Sequence, residues 1–228
     1  MQEKAIKGKN GECFHISSLP HSINKPKKWA KSVKPQKDEL LSSWVSRLLL
    51  ANKTNFTTFL WSLGFRPDDV DLDLDFGSKL MDEILKHTIY NRRDLKKHTL
   101  LDLEESFQDY AKSHKNTYSK VHDVLFTGSS VRSRSGIKFC PLCLKHDDIP
   151  YFRKRWRYGF NPICLKHECY LETKCNSCGT QIGYNRVSFG QSLKSCYKCG
   201  ADLSKQKIRR ISEADPFLQS LKRTQILE

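Results

Sequence analysis

CPLCLKHDDIPYFRKRWRYGFNPICLKH, residues 140–167, opens on a Cys-x-x-Cys pair, closes on a Cys-x-x-His pair and carries Arg153-Lys154-Arg155-Trp156-Arg157 between them. Downstream the spacing repeats as Cys175-x2-Cys178, seventeen residues, then Cys196-x2-Cys199. A two-residue gap lets one tight turn present two donors about a tetrahedral edge apart. Cys140, Cys143, Cys164, His167, Cys175, Cys178, Cys196 and Cys199 therefore predict two four-ligand zinc sites. The seven residues between His167 and Cys175 favour sequential sites, while spacing alone leaves a cross-braced arrangement open. Cys13 and Cys169 are left over as free thiols.

The remaining composition agrees with a metal-held chain that works on polyanions. Across 228 residues, 38% hydrophobic content supplies one moderate core or two small ones, too little for a large enzyme. Forty Lys and Arg against twenty-five Asp and Glu leave a formal +15, which favours DNA, RNA or a nucleoprotein surface. The polar start MQEKAIKGKN and the short apolar run at Leu48-Leu49-Leu50-Ala51 predict a soluble, unexported protein with no membrane span. Nine cysteines in such a chain point to metal rather than disulfides, because reducing compartments keep thiols reduced.

Hydrophobic periodicity divides the chain. Residues 1–37 hold nine Lys and three Pro and read as a basic arm, extended or ordered only by a partner. Residues 38–112 form a helical domain. Leu40, Leu41, Trp44, Val45, Leu48 and Leu49 paint one helix face with Asp38 placed as its cap. Phe56, Phe59, Leu60 and Leu63 form a second stripe closed by Gly64, so the two helices make a helix-turn-helix candidate. Leu80, Met81, Ile84, Leu85 and Ile89 mark a third helix. A fourth follows the capping-box pattern Thr99-Leu100-Leu101-Asp102, with Leu100, Leu103, Phe107 and Tyr110 on one side. Residues 113–138 read as a linker, 139–203 as a double zinc-ribbon domain and 204–228 as a tail holding one more helix through Phe217, Leu218, Leu221 and Ile226. The fold class is thus α plus a small zinc ribbon.

The function classes narrow in turn. Four protein ligands per zinc leave no open position for water, so these metals should fold the domain rather than generate a nucleophile. The run Tyr151 to Tyr158 mixes cations with aromatics, a composition suited to phosphate contact and stacking, against the plainer reading that its aromatics pack the ribbon. Asp71, Asp73 and Asp75 lack the Gly and Glu positions of a calcium loop and, lying in one short run, lack the separation of a two-metal nuclease; a solvated loop or protein-contact strip is the expectation. The second helix offers Asn55, Thr57, Thr58 and Ser62 but no Arg or Gln to read base edges. No Ser/His/Asp grouping or Gly-rich phosphate loop stands out.

Cys140-Pro141-x-Cys143-Leu144, Asp147-Asp148-x-Pro150-Tyr151-Phe152-Arg153, Trp156, Cys164-x-x-His167 with Leu171, and Cys175-x-x-Cys178 resemble the TniQ/TnsD proteins of bacterial transposons. Asp38-Glu39-Leu40-Leu41-Ser42-Ser43-Trp44-x-x-Arg47 resembles that family's opening helix. The resemblance spans residues 38 to about 203. It implies a non-catalytic adaptor, not an enzyme, that couples target DNA or a CRISPR effector with its guide RNA to the AAA+ regulator TnsC, as in RNA-guided integration. Only twenty-nine residues follow Cys199, which points to the short adaptor form of CRISPR-associated transposons. A cytoplasmic, nucleoprotein-associated bacterial location follows, with a homodimer left open. Arg153, Lys154, Arg155, Trp156 and Arg157 are the expected nucleic-acid or partner contacts, and Arg47 with the basic arm an expected protein contact. The alternative is a stand-alone sequence-specific DNA-binding protein, an attachment-site reader or regulator.

Overall fold

A computed structural model describes residues 28–67, 70–74, 77, 79–103, 105, 126–127, 137–183, 186–212, 216 and 220. The order is α1 (Leu41–Ala51), α2 (Phe56–Ser62), α3 (Lys79–Lys86), α4 (Arg92–Lys96), α5 (Pro141–His146), a 3-10 turn (Lys154–Arg157), strands β1 (Ile163–Cys164) and β2 (Cys169–Tyr170), and a 3-10 turn (Leu203–Lys205). The helical N-terminal region and a metal-binding C-terminal part share one buried core that runs from Leu40 to Leu203.

The stripe expected of α1 is the stripe that is buried: Leu41, Trp44, Val45, Leu48 and Leu49 face inward, with Leu40 at the N-cap. The cap differs from the expectation. Asp38 makes no cap bond; it adopts φ 61° and pairs with Arg155 at 3.1 Å. Asp73, thirty-one residues on, accepts from the Ser42 backbone N–H at 2.9 Å and from Ser42 Oγ at 2.7 Å, so the first turn of α1 is satisfied from another part of the chain.

α2 begins with Asn55 accepting from the Thr58 N–H and ends before Gly64, whose φ of 79° is the left-handed conformation that closes a helix. α3 buries Leu80, Met81 and Ile84, while Ile89 lies beyond the helix and is exposed. α4 is an addition to the expected set. Asn91 and Asp94 form a reciprocal capping box, a signal legible in the Asn-x-x-Asp spacing. Residues 101–103 and 105 are helical, and the remainder of the fourth expected helix, Phe107 and Tyr110 included, lies outside the described residues.

Part of the expected arm is folded onto this bundle. Trp29 stacks on His87, Val33 O accepts from Trp44 Nε1 at 2.8 Å, and Asn52 exchanges two hydrogen bonds with Lys31. Apolar packing explains why: Trp29 and Val33 pack against the buried core cluster, so residues 28–37 lie on the bundle rather than extend away from it. Residues 1–27, with Cys13, lie outside the described residues, as does most of the expected linker. Two of its described residues are packed. Phe126 bridges to Tyr158, Ile137 N–H donates to Ile182 O, and both side chains are buried.

The two parts interlock through α1. Glu39 forms a bridge with Arg153, Leu40 N–H donates to Phe152 O at 2.9 Å, and the Phe152 N–H returns a bond to Ser43 Oγ at 2.9 Å. In the tail, residues 209–211 pair with the β1–β2 hairpin, where Tyr170 N–H donates to Arg209 O and Ile211 N–H to Glu168 O. The helix expected around Phe217, Leu218, Leu221 and Ile226 falls outside the described residues apart from Pro216 and Ser220, both helical. No helix among the described residues is long and apolar enough to cross a membrane.

Candidate metal centres and the basic segment

The first donor set is built by one helix start and one hairpin. Cys140 is the N-cap of α5, Pro141 fits the first helical position, and the Cys143 N–H points at Cys140 Sγ across 3.4 Å. The antiparallel pairing Ile163↔Tyr170 and Cys164↔Cys169 brings Cys164 across. His167 N–H donates to Cys164 O, and His167 Nδ1 then lies 3.5, 3.3 and 3.6 Å from the sulfurs of Cys140, Cys143 and Cys164.

The second set is a pair of matching turns. Cys175 N–H donates to Thr180 O and Gly179 N–H to Cys175 O, each at 2.8 Å; Cys196 N–H to Ala201 O and Gly200 N–H to Cys196 O repeat this at 2.8 Å. Both loops reverse through a glycine with φ near 70°, at 68° and 74°, where a side chain would be strained. Sulfurs of Cys175 and Cys199, and of Cys178 and Cys196, are 3.7 Å apart.

Each set places its four donor atoms within 4.8 Å of one another. A zinc–sulfur bond of about 2.3 Å gives a tetrahedral edge of about 3.8 Å, so the observed separations are those of a metal-ready tetrahedron. Two zinc ions fit, and the sites are sequential rather than cross-braced. Zinc with three thiolates and one imidazole carries one net negative charge. Arg153 stands beside the first set, 4.4 Å from the Tyr151 ring centre and 5.0 Å from that of Trp156, with Asp147 at 2.9 Å. Burial opposes its charge, but the Asp147 bond and the nearby Cys143 sulfur outweigh that and raise its pKa.

Arg157 turns the opposite way, into the junction. Its side chain is 0% exposed and donates to both oxygens of Asp71 at 3.0 and 2.8 Å, to Asp73 Oδ2 at 2.8 Å, and to Thr127 O. Asp73, fully enclosed, has its pKa raised to about 6 by burial, against the pull of Arg157. The acidic run is therefore not a solvated strip at Asp71 and Asp73: it is the anionic half of a buried bridge that also caps α1. Asp75 lies outside the described residues.

The TniQ family model matches residues 31–171, more than half of the chain. The chain belongs to the TniQ family. It is accordingly a transposition-associated protein with two metal-binding clusters. The matched span holds α1 to α5, the Asp71–Asp73–Arg157 junction and the first metal set, and it ends before Cys175. No curated protein matches the chain.

Within this TniQ chain, the basic segment expected at the surface is divided. Trp156 and Arg157 are buried and Arg153 is enclosed by Tyr151, Trp156 and Asp147, with the 3-10 turn that follows Arg153 tied to the residues before α1 by the Lys154 N–H donating to Asp38 O at 2.9 Å. Arg155 pairs with Asp38 and stays about a third exposed. Lys154, 14% exposed, donates to Lys97 O at 2.8 Å and lines a cleft. Arg47 is also not a free surface cation. It forks onto the fully buried Glu39 carboxylate at 2.8 and 2.6 Å and donates to Lys34 O. Glu39, Ser43 and Arg47 sit at fourfold spacing along one line, where Ser43 Oγ also donates to Glu39. Arg47→Lys loses the fork and should cost about 1.5–3 kcal/mol in chemical denaturation; an unchanged midpoint would refute the bidentate role.

His98 carries no signal in the sequence, yet its ring is buried with Nδ1 2.8 Å from Glu39 O; burial lowers its pKa, which leaves a neutral ring donating to that carbonyl. Cys169, left over by the ligand spacing, is turned by the hairpin toward the first donor set. The Cys164-x4-Cys169 spacing, with both cysteines flanking one tight turn, was the available signal.

Proposed function

We propose that this TniQ protein is a non-catalytic adaptor: it ties a target-site selector, a CRISPR effector with its guide RNA or the target DNA itself, to a TnsC-type AAA+ regulator, and so directs insertion in the bacterial cytoplasm. The observation that supports this best is that both metal sets supply four protein donors, leaving no coordination position for water or substrate. The metals then hold surfaces in place and take no part in bond making.

The surface offered to a polyanion is a cleft of about 700 Å³ where residues 34–38, α4 and the 3-10 turn of the metal part meet. Lys34, Lys37, Lys97 and Lys154 line it with Tyr90, and Asp38 and Asp94 are its acids. His98, neutral, adds no charge there. Lys154, and Arg155 beside it, are thus the part of the expected basic segment that serves partner binding, while Arg153, Trp156 and Arg157 support them from behind. Four lysines against two aspartates leave the cleft positive, and the formal +15 of the chain adds a long-range attraction for such a partner.

Lys34→Glu, Lys37→Glu and Lys97→Glu together test this reading in co-purification with candidate effector and TnsC proteins, with and without guide RNA. Binding to the nucleoprotein should fall more than tenfold and lose part of its salt dependence, while zinc content and melting temperature stay near those of the parent, since exposed charges contribute little to stability. Unchanged binding and unchanged guided integration in the folded variant would remove the cleft from the proposal. A large preference for one duplex sequence over random duplex, shown by the pure protein, would favour a stand-alone site reader instead.

A further inference from the structure

The first metal set has one donor too many. A structural zinc takes four ligands, and Cys140, Cys143, Cys164 and His167 already provide them. Cys169 is fully buried beside them. It is the cross-strand partner of Cys164 in the β1–β2 hairpin, so the two side chains leave the same face of the ribbon. Its sulfur is 3.6 Å from Cys140 Sγ, the same separation as between Cys143 and Cys164. That length is a tetrahedral edge. His167, by contrast, is only partly buried, and its Nε2 lies 3.3 Å from Nδ1 of His146, an exposed residue at the end of α5.

We propose that Cys169 is a reserve ligand of this site. Cys140, Cys143 and Cys164 hold the metal throughout, and the fourth place belongs either to His167 on the outer side or to Cys169 on the inner side. The inner position is closed to solvent, since Cys169 is 0% exposed where its backbone bridges to Arg210 of the tail, so the exchange occurs without opening the site to water. The Cys169 thiol must lose its proton to become a ligand, and the neutral His167 imidazole that it displaces takes that proton on the outer side, so one sulfur–metal bond replaces one nitrogen–metal bond. A thiophilic cation such as Cd²⁺ favours the four-sulfur form, because softer metals prefer thiolate over imidazole.

The test uses the full chain loaded with zinc, and with Co²⁺ in parallel, whose absorption bands report how many thiolates bind. His167→Ala should keep two metals per chain by native mass spectrometry, and its Co²⁺ bands should strengthen to those of two four-thiolate sites. Cys169→Ser should keep two metals with the parent's bands. The double variant should drop to one metal, with the second site serving as the internal control. His167→Gln is the companion variant where alanine does not fold. Loss of the first metal in both His167 variants overturns the proposal, folded or not; so does retention of two metals in the double variant, or a His167 variant whose bands gain no thiolate character.

Discussion

Replacing Arg157 with alanine is expected to lower the unfolding free energy by about 3–5 kcal/mol, the cost of breaking a buried ion pair from one side. The guanidinium is wholly enclosed and satisfies two carboxylates, so its loss strands Asp71 and Asp73 without a counter-charge. Asp73 cannot simply relax into water. It is held in place by the two bonds from Ser42, and its pKa is already raised to about 6 by burial. Asp73→Ala should be destabilising too, because it uncaps α1 and leaves part of the guanidinium unmatched. The double variant should lose less than the two single losses added together, since each partner's removal relieves the other. Urea denaturation of the four proteins at one pH measures this. A midpoint for Arg157→Ala within experimental error of the parent would mean that the cation is solvated and that the junction is not closed in solution.

Stripping both metals should have the largest effect of all. Structural zinc in small domains contributes an apparent ~10–16 kcal/mol at neutral pH, comparable to or greater than the whole stability of a typical domain at ~5–15 kcal/mol. Mass spectrometry of the intact protein should find two zinc ions per chain, and a strong chelator should abolish the cooperative melt of residues 137–212. Cys175→Ser should remove one ion. Because the Leu203–Lys205 turn packs on α5, losing the second site should also lower the melting temperature of what remains. Loss at the first site should go further, since Phe152 is bonded directly to Leu40 and Ser43 at the start of α1. A chain that binds one zinc, or that melts unchanged in chelator, would refute the two-site assignment.

Features set by short-range rules were legible before any coordinates. The α1 stripe follows from periodicity, the Gly64 stop from left-handed backbone, and the eight donors from the two-residue gap of a metal-binding turn. What escaped was decided by partners far along the chain. Asp38 looks like a cap because it precedes α1, yet the cap comes from Asp73, and local sequence contains no trace of that exchange. Arg153 and Arg157 read as surface because cations ordinarily are, and only the carboxylates of Asp71, Asp73 and Asp147 make their burial tolerable; the burial of Trp156 follows the plainer reading of the aromatics as packing. The 28–37 segment reads as an arm from its lysines, but Trp29 and Val33 are enough to lay it on the bundle. Asn91 and Asp94 were the opposite case, a local signal present and passed over.

The Asp73 junction also bears on how the protein emerges from the ribosome. The N-terminus of α1 needs an acceptor thirty-one residues downstream, and that acceptor needs a cation eighty-four residues further on. Contacts at such separations form late, because the intervening chain must be closed into a loop before they stabilise anything. In a nascent chain that has not yet released residue 157, Asp71 and Asp73 lack the cation that pairs with them. The junction therefore closes only once the metal-binding segment has begun to emerge, so completing the helical sequence does not by itself complete the fold.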